Sequence, residues 1–167
     1  MTQEPTPDRF RSVLGRFVTG VGVMTAVATD GQPHGMTANA ITSVSLDPPL
    51  VLVCVDRDAI MADVVVEAGS FALTFLAADQ ERLSRWFADP DRPPGGAQFD
   101  TVTTSTQKTG SPILGGGVGW VDCRTWAAYD GGDHVIVVGE VLALGEADDP
   151  GAAPLVFDRG TYVQVAR

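Results

Sequence analysis

The chain has 167 residues, of which 44% are hydrophobic, and its formal net charge is −10 at pH 7. This length and composition predict one folded domain and exclude a largely disordered protein, while the excess of acidic residues argues against nucleic acid or an anionic membrane as a partner. No apolar run is long enough to span a bilayer, and the N-terminal residues lack a signal-peptide pattern, so we expect a cytoplasmic protein.

The N-terminal part predicts a tail followed by a helix and a hairpin. Residues 1–7 contain two prolines and no apolar pattern, so we expect a disordered tail and one domain over residues 8–167. Four apolar residues at helical spacing predict a short amphipathic helix from about Asp8: Phe10, Val13, Leu14 and Phe17. A strand over residues 21–29 follows, and Asp30-Gly31 predicts a tight turn.

The stretch from Gly35 to Val55 has the composition of a ligand-binding wall. As a strand, it alternates between two faces. One face carries small polar groups together with one isoleucine: Thr37, Asn39, Ile41, Ser43 and Ser45. The other face is formed by Met36, Ala38, Ala40, Thr42 and Val44. The polar face has little bulk for a core and little charge for a solvent face, although a half-exposed strand tolerates the same residue types.

Helices and strands alternate irregularly after this stretch. An apolar strand ends at Val55, and a helix is predicted over residues 60–68 with Gly69 at its C-terminus. A strand over residues 71–76 precedes a second small helix at residues 79–87. The Pro- and Gly-rich segment at residues 88–96 is predicted as a loop.

Two long strand patterns form the clearest predicted pairing. Residues 118–129 and 135–144 are joined by Asp130-Gly131-Gly132-Asp133, which predicts a hairpin with a glycine-rich tip. Short strands are predicted at residues 155–157 and 161–165. Many strands with two or three short helices predict an antiparallel barrel or sandwich.

Two polar groups at strand ends could carry chemistry. Asp56-Arg57-Asp58 follows an apolar strand, and its arginine is either a solvated surface residue or an anion contact. His134 follows the glycine-rich tip, where it either happens to follow a turn or stands beside a flat ligand as a hydrogen-bond donor.

No catalytic or metal-binding motif stands out. Cys54 and Cys123 lie in apolar runs and are expected to be reduced, buried thiols. The two cysteines and two histidines are far apart in sequence, so we expect no metal site. Neither GxxxxGK[ST] nor GxGxxG between a strand and a helix occurs.

The ordered motifs resemble those of a known family. They are FRSVLGRFVTGV, HGMTANAITSVSLDPPLVLVC, FALTFLAADQERLSRWFA, GSPIL, GGDHVIVVGEV and PLVFDRGTYVQV. In this order they are similar to the flavin reductase family of FMN-binding split barrels, the reductase components of two-component flavin-dependent monooxygenases. The resemblance covers residues 10–165.

This resemblance implies a fold, an activity and a site. The implied fold is mainly β: a homodimeric, six-stranded antiparallel split β-barrel of Greek-key type with two or three short peripheral helices. The implied enzyme is an NAD(P)H:flavin oxidoreductase, in which hydride passes from NADH or NADPH to FMN or FAD and reduced flavin goes to a separate flavin-dependent oxygenase. By matching position, the cofactor contacts are Thr37, Ala38, Asn39, Ala40, Ser43, Val44, Ser45, Val55, Asp56, Arg57, Asp58, Phe87, Ala88, Gly132, Asp133 and His134.

Within this set, His134 is expected to border the nicotinamide and position it. The segment at residues 96–100 differs from the Asp-Arg-Phe of many relatives, which leaves its contacts open. Two other functions remain open at this point. One is a split-barrel enzyme with tightly bound FMN that oxidises its own substrate, and the other is a protein that binds flavin or haem without turnover.

Overall fold

The described residues form three α-helices, one 3-10 helix and twelve strands, in a computed structural model that describes residues 4–147 and 149–165. The helices are α1 (Pro7–Leu14), α2 (Ile60–Ala68) and α3 (Glu81–Ala88), with the 3-10 helix at Gly95–Phe99. The strands are β1 (Thr19–Gly20), β2 (Gly22–Val27), β3 (Pro33–Ala38), β4 (Ile41–Leu46), β5 (Pro49–Asp56), β6 (Ser70–Phe75), β7 (Thr104–Ser105), β8 (Ile113–Leu114), β9 (Gly119–Gly131), β10 (His134–Glu146), β11 (Val156–Asp158) and β12 (Thr161–Val163). The fold is therefore mainly β with three short helices, as predicted.

Seven antiparallel strands form the main sheet, in the order β3-β2-β6-β9-β10-β5-β4. Its centre is the predicted hairpin of β9 and β10, which pairs Gly131 with His134 across the tip. Gly132 at this tip has a φ of 79°, in a region that residues with a Cβ rarely adopt. The hairpin prediction is thus confirmed.

The prediction that the stretch beginning at Gly35 is one strand is wrong. β3 ends at Ala38, β4 begins at Ile41, and the two strands lie at opposite edges of the main sheet. Asn39 and Ala40 connect them, and Cys54 N donates to the Ala40 carbonyl at 3.0 Å. The two-residue periodicity of a strand shows which side chains share a face but not which strand is the partner. The six-strand count is therefore not confirmed, because the main sheet has seven strands.

The core lies between α2 and the main sheet. Buried side chains from five strands pack together there: Met24, Val53, Val55, Phe71, Cys123 and Val137. α2 contributes Met61 and Val65, and it ends at Gly69, whose left-handed φ of 66° closes the helix as predicted. A second buried cluster, around Val23, Leu76 and Phe87, connects the sheet to α3.

The apolar face of α1 remains uncovered. None of the residues of α1 is buried. The apolar residues that predicted this helix are all at least half exposed: Phe10, Val13, Leu14 and Phe17. The side chains needed to cover this face are therefore not supplied by the described part of the chain.

The predicted N-terminal tail lies mostly before the first helix. Residues 1–3 lie outside the described residues, and α1 begins at Pro7, one residue before the predicted start. None of the helices formed by residues 4–147 and 149–165 combines the length and apolar character needed to cross a membrane.

Candidate functional site

Five of the predicted contacts meet around one cavity between β3, α3 and the end of β5. This hollow, which we call the α3 cavity, has a volume of about 560 Å³. The predicted residues that line it are Thr37, Asp56, Asp58, Phe87 and Ala88. Three separate segments of the sequence therefore converge on a space of the size used for small-molecule ligands.

α3 packs directly against β3 because β3 has no side chain at the point of contact. An ideal Cβ at Gly35 would lie 2.4 Å from Cε1 of Phe87, and the Phe87 ring is fully buried. Two residues along the strand, Thr37 Oγ1 donates to the Ser84 carbonyl at 2.6 Å. Glycine at position 35 and threonine at position 37 thus fix α3 on the strand edge.

The loop after α3 contributes two residues that the sequence did not single out. Arg92 lines the α3 cavity and donates to the carbonyls of Asp89 (2.6 Å) and Gly35 (2.7 Å). Buried Gln98 accepts from Gly35 N at 3.1 Å and from Arg92 Nε at 3.3 Å. Burial lowers the pKa of Arg92, and the carboxylate of Asp89 opposes this shift. The only signal in the sequence was one arginine within a Pro- and Gly-rich loop.

The end of β5 directs its three polar residues to different places. Asp56 and Asp58 line the α3 cavity, and Asp56 Oδ1 accepts from Asp58 N at 2.9 Å. The Arg57 guanidinium instead reaches the hairpin tip, where Nε donates to the Gly132 carbonyl at 2.7 Å and Nη2 to Asp130 Oδ1 at 2.6 Å. Arg57 therefore anchors the tip and does not line the α3 cavity.

His134 does not line the α3 cavity, but β10 pairs it with Asp56 of β5, which does. Its Nδ1 lies 2.7 Å from Asp133 Oδ1. The contact with His134 lowers the pKa of the Asp133 carboxyl. The pKa of the Asp130 carboxyl is lowered chiefly by the hydrogen bond from Gly132 N and next by the bond from Arg57. The hairpin tip is therefore held by its own backbone and by Arg57 at the end of β5, and the His134 imidazole lies where β10 begins.

Asn39 opens onto a second hollow, which we call the Asn39 trough. It has a volume of about 400 Å³ and includes Phe17, Val18 and Thr19. Asn39 Nδ2 donates to Thr19 Oγ1 at 3.2 Å. The adjoining residue Ala40 is exposed, so a flat group can approach the backbone here.

The remaining predicted contacts are not gathered at the α3 cavity. Ser43 and Ser45 line a third hollow of about 350 Å³ along β4, and Val44 is half exposed on the same strand. The side chains of Ala38 and Val55 are buried in the core. A ligand would therefore meet these last two positions through their backbone only.

The prediction of buried, reduced thiols is confirmed for Cys123, whereas Cys54 is only half-buried. Both are free thiols, and burial, followed by the charge of Asp122, raises the pKa of Cys123 to about 12. Such a thiol is inert near neutral pH. Among residues 4–147 and 149–165, no three His, Cys, Asp or Glu side chains are grouped so as to hold a metal ion.

Comparisons with known proteins agree with this arrangement. The model of the flavin reductase like domain matches residues 14–166. An NADH-dependent FAD reductase from Streptomyces globisporus is 47% identical, over 95% of this chain and 85% of that protein. The solved structure of the Streptomyces globisporus NADH:FAD oxidoreductase SgcE6 has a TM-score of 0.91 at 40% identity, covering 100% of this chain and 98% of that one.

A third relative belongs to a two-component system. BorF, the flavin reductase component of a bacterial two-component tryptophan halogenase, has a TM-score of 0.89 at 40% identity, covering 97% of this chain and 99% of its own. Each of these comparisons covers at least 95% of this chain and at least 85% of the other protein. The chain belongs to the flavin reductase like domain family.

Proposed function

We propose that this protein is an NADH-dependent flavin reductase that reduces FAD or FMN and supplies the reduced flavin to a separate flavin-dependent oxygenase. The observation that carries this proposal is the α3 cavity, in which three distant segments bring together five expected flavin contacts. The relative at 47% identity is named as NADH-dependent and as an FAD reductase, which favours NADH over NADPH.

The polar groups at the site suit a flavin nucleotide. The exposed backbone at Asn39 and Ala40 permits close approach of a flat ring, and the Asn39 amide can bond its carbonyl groups. The α3 cavity offers a guanidinium, a hydroxyl and two carboxylates for the sugar and phosphate end: Arg92, Thr37, Asp56 and Asp58. When bound, flavin supplies the electron-accepting chemistry, and the chain binds, orients and shields it.

His134 is proposed to position the nicotinamide. It stands opposite Asp56 across the β5–β10 pair, so its side chain projects to the same side of the sheet as that cavity-lining residue. The Asp133 contact occupies Nδ1, which leaves Nε2 free to bond the carboxamide of the nicotinamide. The Arg57 contacts with the tip keep this residue in place.

A homodimer and a split barrel belong to the same proposal. The uncovered face of α1 supports a homodimer, and Phe17 and Val18 extend this apolar surface to the Asn39 trough. A second copy would then help to enclose the flavin ring. The two-residue connection between the edge strands β3 and β4, whose Ala40 carbonyl accepts from Cys54 N, supports a split barrel in which these two strands count together as one of six sides. The expected cytoplasmic location stays a prediction.

One assay tests the proposed function against its alternatives. Purified protein is mixed with NADH and either FAD or FMN, and the loss of nicotinamide absorbance is followed. Oxidation of NADH that depends on added flavin is the expected result. A protein that retains FMN on purification and turns over without added flavin would instead be an enzyme with its own substrate. A protein that binds flavin or haem but oxidises no NADH would be a binding protein.

A further inference from the structure

Arg92 is the only arginine or lysine among the described residues that line the α3 cavity. It lies in the loop after α3, and the charged side chains that the end of β5 and the following turn contribute to the cavity are Asp56 and Asp58. The chain as a whole is acidic, with a net charge of −10. Apart from His34, an anion that enters this cavity therefore meets a basic side chain only at Arg92 among the described lining residues.

The guanidinium is fixed in place without a direct ion pair, although the carboxylate of Asp89 acts on it electrostatically. Its three hydrogen-bond partners are the carbonyls of Asp89 and Gly35 and the side-chain amide of Gln98. All three acceptors are uncharged, and none of the ion pairs found among residues 4–147 and 149–165 involves Arg92. A guanidinium has five N–H groups, so two remain available after these bonds are made.

These features are those of a preorganised anion contact. Holding the side chain by neutral acceptors removes much of its conformational freedom before a ligand arrives. Partial burial of Arg92 reduces the competition from water, so a charge-assisted bond there is stronger than on an open surface. The planar guanidinium matches the geometry of phosphate oxygens.

We propose that Arg92 binds the phosphate of the flavin nucleotide and thereby makes the enzyme prefer phosphorylated flavins to riboflavin. This inference rests on the proposed function, because it assigns one group of the flavin to one side chain. The position of Arg92 also orients the ligand, since repulsion from Asp56 and Asp58 turns the phosphate towards the loop after α3. The hydroxyl groups of the ribityl or ribose chain are left to face the two carboxylates.

The test compares three flavins that differ in phosphate. Riboflavin has none, FMN has one and FAD has two. Wild type, Arg92→Gln and Arg92→Lys are compared by NADH oxidation and by equilibrium binding, the latter from quenching of flavin fluorescence. Arg85→Gln is the matched control, because Arg85 is an exposed arginine on α3 that pairs with Glu81 and does not line the cavity.

Arg92→Gln should raise Kd and KM for FMN and FAD about tenfold or more, the effect of losing a hydrogen bond to a charged group. Its values for riboflavin should change less than twofold. For FMN and FAD, the Kd and KM of Arg92→Lys should lie between those of wild type and Arg92→Gln, because lysine keeps the charge but loses the planar pair of donors. Arg85→Gln should match wild type for all three flavins.

Two results would overturn the inference. Equal weakening of all three flavins by Arg92→Gln would show that Arg92 only holds the loop to β3. Unchanged affinity for FMN and FAD would show that the phosphate lies elsewhere. In either case wild-type turnover would leave the proposed function standing, whereas a wild-type protein that neither binds nor reduces any flavin would overturn both.

Discussion

The contact between Gly35 and Phe87 provides the sharpest test of how the α3 cavity is built. Replacing Gly35 with alanine would place a Cβ 2.4 Å from Cε1 and 2.6 Å from Cδ1 of Phe87. Both distances are shorter than real Cβ contacts. The ring cannot swing into solvent, since Phe87 is fully buried. The substitution must therefore push α3 away from β3 or strain the ring.

The expected loss of stability follows from two opposing effects. Overpacking a core costs about 1–3 kcal/mol, and these short contacts place Gly35→Ala near the upper end. Alanine in a strand regains about 0.5–1 kcal/mol relative to glycine. The net loss is about 2 kcal/mol, which lowers Tm by about 4–8 °C in a domain of this size.

Thermal unfolding followed by circular dichroism measures this loss. Gly96→Ala is the matched control, because its Cβ would meet its nearest neighbour, Gln32 Oε1, at an ordinary 3.7 Å. Adding Phe87→Leu to Gly35→Ala should cost less than the sum of the two single changes, since the smaller side chain leaves room for the methyl group. Gly35→Ala should also weaken FAD binding. The close-contact explanation fails if Gly35→Ala melts at the same temperature as Gly96→Ala.

Four further changes test individual contacts. His134→Ala should raise KM for NADH about two- to tenfold, the effect of one lost hydrogen bond, with little change in KM for FAD; unchanged kinetics would remove His134 from the site. Asn39→Leu should weaken FAD binding in fluorescence titration by a similar factor, and wild-type affinity would contradict its role. Arg57→Ala should raise KM for NADH about two- to fivefold by releasing the hairpin tip. Arg124→Ala, which breaks only an exposed ion pair on β9 and β10, should have the KM of wild type. An equal effect of the two substitutions would refute the role of Arg57 in anchoring the tip. The pKa of Cys123 is raised from 9.0 to about 12, so the unfolded chain loses this proton at a lower pH than the folded protein does. The free energy of unfolding should therefore fall by about 1.4 kcal/mol per pH unit between these two values. In denaturant titrations above pH 9, the free energy of unfolding of Cys123→Ala should decline less steeply than that of wild type, and equal slopes would contradict the buried-thiol assignment.

Local patterns in the sequence predicted much of the fold. The bounds of α2 and the glycine that ends it follow from helical periodicity and C-cap chemistry, both of which act within one or two turns. The hairpin of β9 and β10 follows from two alternating segments with Gly132 between them. The family resemblance then predicted that His134 and Asp56 belong to one binding site, and the structure pairs these two residues across neighbouring strands.

Contacts between distant segments were harder to predict. Arg92 and Gln98 bond to Gly35, which is 57 and 63 residues away, and no local pattern in a Pro- and Gly-rich loop indicates such partners. The direction of Arg57 was partly available from the sequence, since successive side chains along an extended chain project to opposite sides. That rule separates Arg57 from Asp56, as the structure does.

The two-residue connection between β3 and β4 restricts how the length of this chain can vary. Inserting or deleting one residue at Asn39-Ala40 would shift β4 by one position against β5 and turn every side chain of that strand to the other face. The Asp30-Gly31 turn is less restricted, because residues 29–32 are exposed and an added residue can extend into solvent. We therefore expect natural relatives and engineered fusions to accept insertions at Asp30-Gly31, while the connection at Asn39-Ala40 keeps its length.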